Sequence, residues 1–174
     1  KSKIAGVNVA EDRVRYLHGG GHVDFADDFK GISQLDVEVA KGLSILNSTE
    51  DGIGRSRANG EHDFLRANLT ASRVQELAGD FSMLVSGTGQ VSGGPLLASQ
   101  EFSLGGGEFG RAYDSGEIAG DRGIAGEIEL RYSGYLANPY IHTYQLYSFY
   151  DLGKVFNASP VVGENKTNSL ASTG

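Results

Sequence analysis

The sequence predicts an all-β chain whose strands belong to an antiparallel, up-and-down transmembrane β-barrel. Three observations carry this. Apolar and polar residues alternate along most of the chain, the period of a strand with one apolar and one polar face. Short connections alternate with long ones. The composition has 26 glycines and only three prolines in 174 residues, about twice the ~7% glycine of ordinary proteins. No run of about 18 apolar residues exists, so no helix could span a bilayer. A spanning barrel has modest hydropathy and many glycines and would leave the same trace. A soluble β-sandwich shares the alternation and stays open as an alternative.

The segments follow in order. Glu11–Phe25 reads as extended, but Arg13, Arg15 and Leu17 share a parity and leave its faces ambiguous. In Ile32–Leu43, Leu35, Val37 and Val39 oppose Gln34, Asp36 and Glu38. In Phe64–Arg73, Leu65, Ala67, Leu69 and Ala71 oppose Arg66, Asn68, Thr70 and Ser72. In Asp80–Ser92, Phe81, Met83, Val85 and Val91 oppose Ser82, Ser86, Thr88 and Gln90. In Ile124–Tyr132, Ile128 and Leu130 oppose Glu127, Glu129 and Arg131. In His142–Val155, Tyr144, Leu146, Tyr150 and Leu152 oppose Gln145, Tyr147, Phe149 and Asp151. Ser169–Gly174 begins a further strand.

The connections Ala26–Gly31, Glu76–Gly79 and Gly134–Ile141 are short. Ser44–Gly60, Gly93–Gly123 and Asn157–Thr167 are long. An up-and-down membrane barrel makes this pattern, with tight turns on one side and long loops on the other. The tyrosines of Tyr132–Tyr150 sit where an interfacial aromatic girdle would fall. The charges on the polar faces suit a wet lumen.

The formal net charge of −7 argues against a nucleic-acid binder that lives on phosphate contacts. The absence of cysteine excludes disulfides, thiolate zinc sites and cysteine nucleophiles. Gly105–Gly110 fits G-x-G-x-x-G, but Arg111–Gly116 is a poor helix and the dinucleotide motif requires one; a tightly folded glycine loop accounts for it better. His18 and His22 are four residues apart, a zinc spacing on a helix but too wide on a strand. Glu127 and Glu129 share a face at a spacing that glycosidase chemistry permits, but a charged lumen wall explains them more simply. No catalytic residue, metal site, nucleotide site or cofactor is expected. Arg111, inside the longest loop between Phe109 and Tyr113, and Asp151, on the polar face with Phe149, are the candidates for an anchor between loop and strand, since an Arg fork grips a carboxylate directionally.

The stretch Gln100–Tyr132 resembles the two-partner secretion B transporters, the haemolysin activator/secretion family of outer-membrane β-barrel polypeptide transporters. Arg111-Ala112-Tyr113 stands where that family has an Arg-Gly-(Tyr/Phe) loop motif, and Gly120-Asp121-Arg122-Gly123 where it has Gly-Asp-x-Gly. Phe149-Tyr150-Asp151-Leu152-Gly153 fits its Phe-x-Asp-x-Gly strand motif. One departure is Ala112 in place of the usual Gly, which tests whether that position needs a left-handed backbone.

The resemblance implies that residues 1–174 are one segment of a C-terminal barrel domain, about six or seven strands of a larger barrel and open as a fragment, with a loop of about 93–123 folded into the lumen. It implies Phe109, Gly110, Arg111, Ala112 and Tyr113 as a gating motif. Asp151, Phe149, Gly153, Glu127 and Glu129 become its anchor on the barrel wall, and Gly105, Gly106, Gly120, Asp121 and Gly123 structural loop residues. The implied function is ATP-independent secretion and activation of a large haemolysin- or adhesin-like partner across the outer membrane of a Gram-negative bacterium. The partners are that exoprotein and the lipid bilayer. Insertion of other barrel proteins by the same superfamily is an alternative, as are a small complete eight-strand barrel acting as an enzyme or adhesin and a soluble sandwich binding module. In the barrel reading Leu35, Val37, Val39, Leu65, Leu69, Phe81, Met83, Val85, Ile128, Leu130, Tyr144 and Leu146 face lipid.

Overall fold

The structure, a computed structural model, describes residues 2–4, 7–10, 12–46, 48, 55–137 and 140–174. Strands β1 (Ser2–Ile4) and β2 (Val7–Ala10) form a small antiparallel pair. The main strands are β3 (Tyr16–Ala26), β4 (Gly31–Gly42), β5 (Leu65–Glu76), β6 (Phe81–Ser92), β9 (Arg122–Tyr135), β10 (Thr143–Phe156) and β11 (Thr167–Thr173). Between β6 and β9 a 3₁₀ turn (Ala98–Gln100) precedes the short strands β7 (Phe102–Leu104) and β8 (Ile118–Gly120), which pair antiparallel as a hairpin within the long loop.

The seven main strands form one antiparallel sheet in the order β3-β4-β5-β6-β9-β10-β11. Each strand pairs with its neighbour in the chain once the β7–β8 hairpin is set aside, which is an up-and-down meander. All but β11 are 11 to 14 residues long, at or above the ~9–11 that a tilted strand needs to cross a bilayer. β3 and β11 are the two edges and do not pair with each other. The sheet is therefore open, as a segment of a larger barrel is, and the small closed eight-strand barrel is ruled out for these strands.

Register turns the sequence alternation into two faces. Val23, Leu35, Ala71, Gly87, Gly126, Leu152 and Ala171 form one row across the sheet, and Phe81, Tyr132 and Leu146 align in another. Leu35, Val37, Val39, Leu65, Leu69, Phe81, Val85, Ile128, Leu130 and Leu146 are all exposed on this apolar face, and Met83 and Tyr144 on it are half-buried. No second large sheet covers these side chains among the described residues, which removes the sandwich alternative, whose apolar faces must meet in a core. Phe81, Tyr132 and Tyr144 lie side by side at the short-turn end, with ring centroids 4.9 and 6.1 Å apart. Tyr147 does not join them: it shares the polar face with its cross-strand partner Arg131.

The short turns join β3 to β4, β5 to β6 and β9 to β10 at one end of the sheet; the long loops join β4 to β5, β6 to β9 and β10 to β11 at the other. The first turn is held by Asp27, whose Oδ1 accepts from the Phe29 and Gly31 amides at 3.0 and 3.2 Å, and whose Oδ2 pairs with Arg73 at 2.7 Å. Two expectations need correction. β3 begins at Tyr16 and not Glu11, so Arg13 and Arg15 lie outside the strand and its faces are unambiguous. β11 begins at Thr167, two residues before the expected Ser169. The loop after β6 holds a short hairpin, with β7 paired to β8.

The apolar interior is small and sits at the loop end, on the polar face. Leu104 of β7 and Phe109 pack with Ala125, Val155 and Leu170 of β9, β10 and β11, flanked by Phe102 and Ile118. Ala40, Phe64 and Leu96 make a second cluster with Val14 against it. The long loops therefore cap one end of the sheet with their own hydrophobic contacts.

Candidate functional site: a loop arginine on a carboxylate triad

The β9–β10 register places Asp151 opposite Glu127 and Phe149 opposite Glu129, all on the polar face. On the far side of β10, Asp151 stands opposite Ser172 of β11. Three carboxylates and an aromatic ring thus occupy one block of wall. The loop delivers its cation to that block. Gly105 and Gly110 both have left-handed backbones, φ 109° and 88°, which only glycine adopts without strain. They bend the chain so that Gly105 N donates to Phe109 O at 2.9 Å and Tyr113 N donates to Gly110 O at 2.9 Å. A Cβ on Gly110 would lie 2.8 Å from Leu170 Cδ1, so this turn also seats directly on β11.

At the tip of the turn Arg111 meets all three acids. Its Nε donates to Asp151 Oδ2 at 3.2 Å and its Nη2 to Asp151 Oδ1 at 2.8 Å, the bidentate fork of an arginine–carboxylate pair. Nη2 also reaches Glu127 Oε2 at 3.1 Å, and Nη1 donates to Glu129 Oε2. The guanidinium lies over the Phe149 ring, 3.6 Å from its centroid, a cation–π contact that covers the face not used for hydrogen bonding. Asp151 is fully buried. It also accepts from the backbone amides of Gly110 and Arg111 at 3.2 and 3.1 Å and from Ser172 Oγ at 3.0 Å. Arg131 Nε donates to Glu129 Oε1 at 2.6 Å, so two cations face three anions. The hydrogen bond to Asp151, then that to Glu129, raises the Arg111 pKa further above its ordinary value; the group stays charged at any accessible pH.

The other sequence candidates fall around this contact. Tyr113 reaches back to β11, its hydroxyl donating to Ala171 O at 3.2 Å. Ala112 has no left-handed backbone, so the position does not require Gly and alanine fits it. At Gly153 a side chain would run into Leu104, and at Gly123 into the Phe102 ring; both glycines make room for the β7–β8 hairpin. Gly106 has a left-handed φ of 96°, and a Cβ on Gly120 would lie 3.0 Å from Phe156 O.

A second charged knot was missed in the sequence apart from Asp121. Asp121, fully buried just before β9, accepts from the Leu96 amide at 2.6 Å and the Ala158 amide at 2.7 Å. Its third partner is Arg57, from the loop after β4. Arg57 also pairs with Glu101 at 3.0 Å and Glu164 at 3.5 Å. One aspartate therefore ties together the three long loops. Burial alone would lower the Arg57 pKa, but the Asp121 hydrogen bond and the surrounding carboxylates outweigh it and raise it. Burial pushes the Glu101 carboxyl up, with Arg57 offsetting only part. Arg57 carries no signal of its own in the sequence; only the Gly-Asp-x-Gly motif marked its partner.

His18 and His22 do not converge. His18 Nδ1 lies 3.2 Å from Glu38 and His22 Nδ1 2.8 Å from Asp36, each across the β3–β4 pair. No group of three metal-ligating side chains comes together among the described residues.

An apolar, exposed sheet face, an up-and-down meander and a loop arginine on strand carboxylates thus meet in one sheet. Residues 19–174 match the family model for the haemolysin secretion/activation protein ShlB/FhaC/HecB. The chain belongs to this family. The ShlB/FhaC/HecB family comprises outer-membrane transporters of two-partner secretion in Gram-negative bacteria. No curated protein and no solved structure matches the chain. In a membrane-spanning barrel an exposed apolar sheet face is the one that meets lipid.

Proposed function

We propose that residues 1–174 are one wall segment of the C-terminal barrel of a transporter that secretes and activates a large haemolysin- or adhesin-type exoprotein. In this reading the 93–123 loop folds into the lumen and controls passage, and Arg111 is its latch. The exoprotein threads the lumen unfolded, and folding outside the cell biases its direction, since no ATP is present at the outer membrane. The lumen face carries Asp36, Glu38, Arg66, Asn68, Thr70, Glu127, Glu129 and Arg131, which offer water and charge and no continuous apolar strip to hold a moving chain. The Arg111 contact with Asp151, Glu127 and Glu129 is the observation that carries the reading, because it ties a mobile element type, a loop, to the fixed wall. The family match favours secretion over barrel insertion.

The test uses the full-length parent protein in its outer membrane. Arg111→Ala cuts the exoprotein released to the medium while the barrel still reaches the membrane and keeps its heat-modifiable mobility on gels. Asp151→Ala shifts secretion in the same direction, and the double variant is no worse than Arg111→Ala, the signature of one shared interaction. Unchanged secretion in both single variants refutes the latch.

A further inference from the structure

The lipid-facing side of the sheet carries charges of one sign only. In the seven strands its charged residues are Lys41, Arg73, Arg122 and Lys154, with no Asp or Glu, although the chain as a whole is acidic, with a net charge of −7. Arg73 lies at the short-turn end, paired with Asp27 at 2.7 Å. The other three lie at the loop end. Arg122 and Lys154 are both exposed on neighbouring strands, and Phe156 stands opposite both Arg122 on β9 and Thr167 on β11. Lys154 Nζ lies over the Phe156 ring, 5.4 Å from its centroid. Lys166, exposed, adjoins Thr167. Among the described residues Arg122 bonds through its Nε, to Ser92 O at 3.0 Å. The nearby acid Glu164 is drawn to Arg57.

Beside these cations the sheet is notched. Gly89 lies in register between Leu69 and Ile124, so a side chain is missing from the middle of that row. Gly89 is part of the lining of an open hollow of about 900 Å³, which Val37, Leu69, Val91, Ile124 and Phe156 share with Arg122 and Lys166. An apolar hollow under a cluster of cations is complementary to an anionic head group with a hydrocarbon tail.

Resting on the family reading, which puts the long loops outside the cell and this notch at the outer leaflet, we propose that it binds a phosphorylated, multiply acylated glycolipid of that leaflet, lipid A. An acyl chain fills the gap left at Gly89, and Arg122, Lys154 and Lys166 hold the phosphates, the guanidinium offering its two Nη groups as a fork.

The experiment uses the full-length protein purified in mild detergent. Binding is read by native mass spectrometry with four probes: bisphosphorylated lipid A, dephosphorylated lipid A, phosphatidylglycerol and inorganic phosphate. Lipid A binds at least tenfold tighter than its dephosphorylated form. That preference disappears in the triple variant Arg122→Gln, Lys154→Gln, Lys166→Gln. Gly89→Leu weakens binding of both lipid A forms, since the nearest atom to a Cβ there is Gly123 O at 3.4 Å and the side chain can fill the notch without breaking the sheet. Retained heat-modifiable mobility shows that each variant is folded. Undiminished phosphate preference in the triple variant overturns the proposal, as does phosphatidylglycerol or inorganic phosphate binding as well as lipid A. Labelling of Val162→Cys by a membrane-impermeant maleimide on intact cells separates the two readings, because Val162 is fully exposed in the β10–β11 loop. Labelling without lipid A preference defeats the lipid site and leaves the transporter reading intact; labelling only from the periplasmic side defeats both.

Discussion

Replacing Asp121 by alanine removes the one side chain that joins the three long loops, and its cost can be worked from the contacts. Asp121 has no exposed surface, and it leaves behind the amides of Leu96 and Ala158 and the guanidinium of Arg57. Breaking a buried ion pair by deleting one partner costs about 3–5 kcal/mol. Glu101 and Glu164 remain beside Arg57 at 3.0 and 3.5 Å and hold the loss at the lower end, about 3 kcal/mol. The two orphaned amides add about 1–3 kcal/mol each where water cannot reach them. The knot lies in the loops and not in the sheet ladder, so the loss falls on local opening. At about 1.4 kcal/mol per tenfold, the ion-pair loss of about 3 kcal/mol alone speeds hydrogen exchange at the Leu96 and Ala158 amides by about two decades, and the orphaned amides add to that. Exchange in the middle of β5 and β9 stays as in the wild type. Native-state exchange on the full-length protein in detergent measures both sets at once. Wild-type rates at Leu96 and Ala158 in a folded Asp121→Ala protein refute the knot; faster exchange everywhere shows instead that Asp121 supports the whole barrel.

Glu101→Gln tests the same cluster by pH. Burial raises the Glu101 pKa, so ionisation works against the folded loop: this carboxyl's contribution is best below its ordinary unfolded pKa and worsens as pH rises through the interval up to the raised folded value. The variant therefore slows loop opening relative to wild type at neutral pH and loses that advantage in acid, measured by exchange at Leu96 on both sides of the interval; an advantage that grows in acid contradicts the sign. Gly153→Val drives a side chain into Leu104, so the β7–β8 hairpin lifts from β10 and added protease nicks the 93–121 loop faster, while the strand content by circular dichroism is unchanged. Ile128→Arg, exposed near the middle of the lipid face, costs about 2–4 kcal/mol of barrel stability, read from urea unfolding in lipid vesicles; a cost under about 1 kcal/mol there counts against a bilayer around this face.

What could be read from the sequence was what local chemistry repeats. Strand alternation gave Val37, Leu69, Val85 and Ile128 one face because a period of two is enforced by the backbone itself. The turn and loop lengths ordered the strands because consecutive antiparallel strands pair with their neighbours. Arg111 and Asp151 could be singled out because a folded loop needs a directional anchor and a nearby motif held each of them. Arg57 could not, because its contact with Asp121 spans 64 residues and depends on how three loops fold, which no local pattern encodes. The β7–β8 hairpin escaped for a related reason: strands of three residues are too short to show alternation. The start of β3 is not legible because Arg13 and Arg15 keep the parity of Leu17 without belonging to the strand.

The two members of the latch are not equivalent, and the asymmetry follows from the charge count at the wall. Arg111 and Arg131 face Glu127, Glu129 and Asp151. Asp151→Ala leaves two cations against two carboxylates, and Arg111 keeps its contacts to Glu127 and Glu129 and its seat over Phe149. The lost contacts include two loop amides, Gly110 and Arg111, at 3.2 and 3.1 Å, so the loop is loosened but still attracted. Arg111→Ala leaves three carboxylates within one block of wall and only Arg131 to balance them. Asp151 then keeps Ser172 and the loop amides, which are neutral donors and cannot cancel its charge. Like charges at this spacing repel, and burial makes the repulsion stronger than at an open surface. The wall therefore tolerates the missing acid better than the missing base. Arg111→Ala impairs secretion more than Asp151→Ala, and adding Glu127→Gln to Arg111→Ala restores part of the loss by removing one of the crowded charges. If the two single variants reverse that order, electrostatic balance is not what seats the loop, and the backbone contacts to Asp151 are.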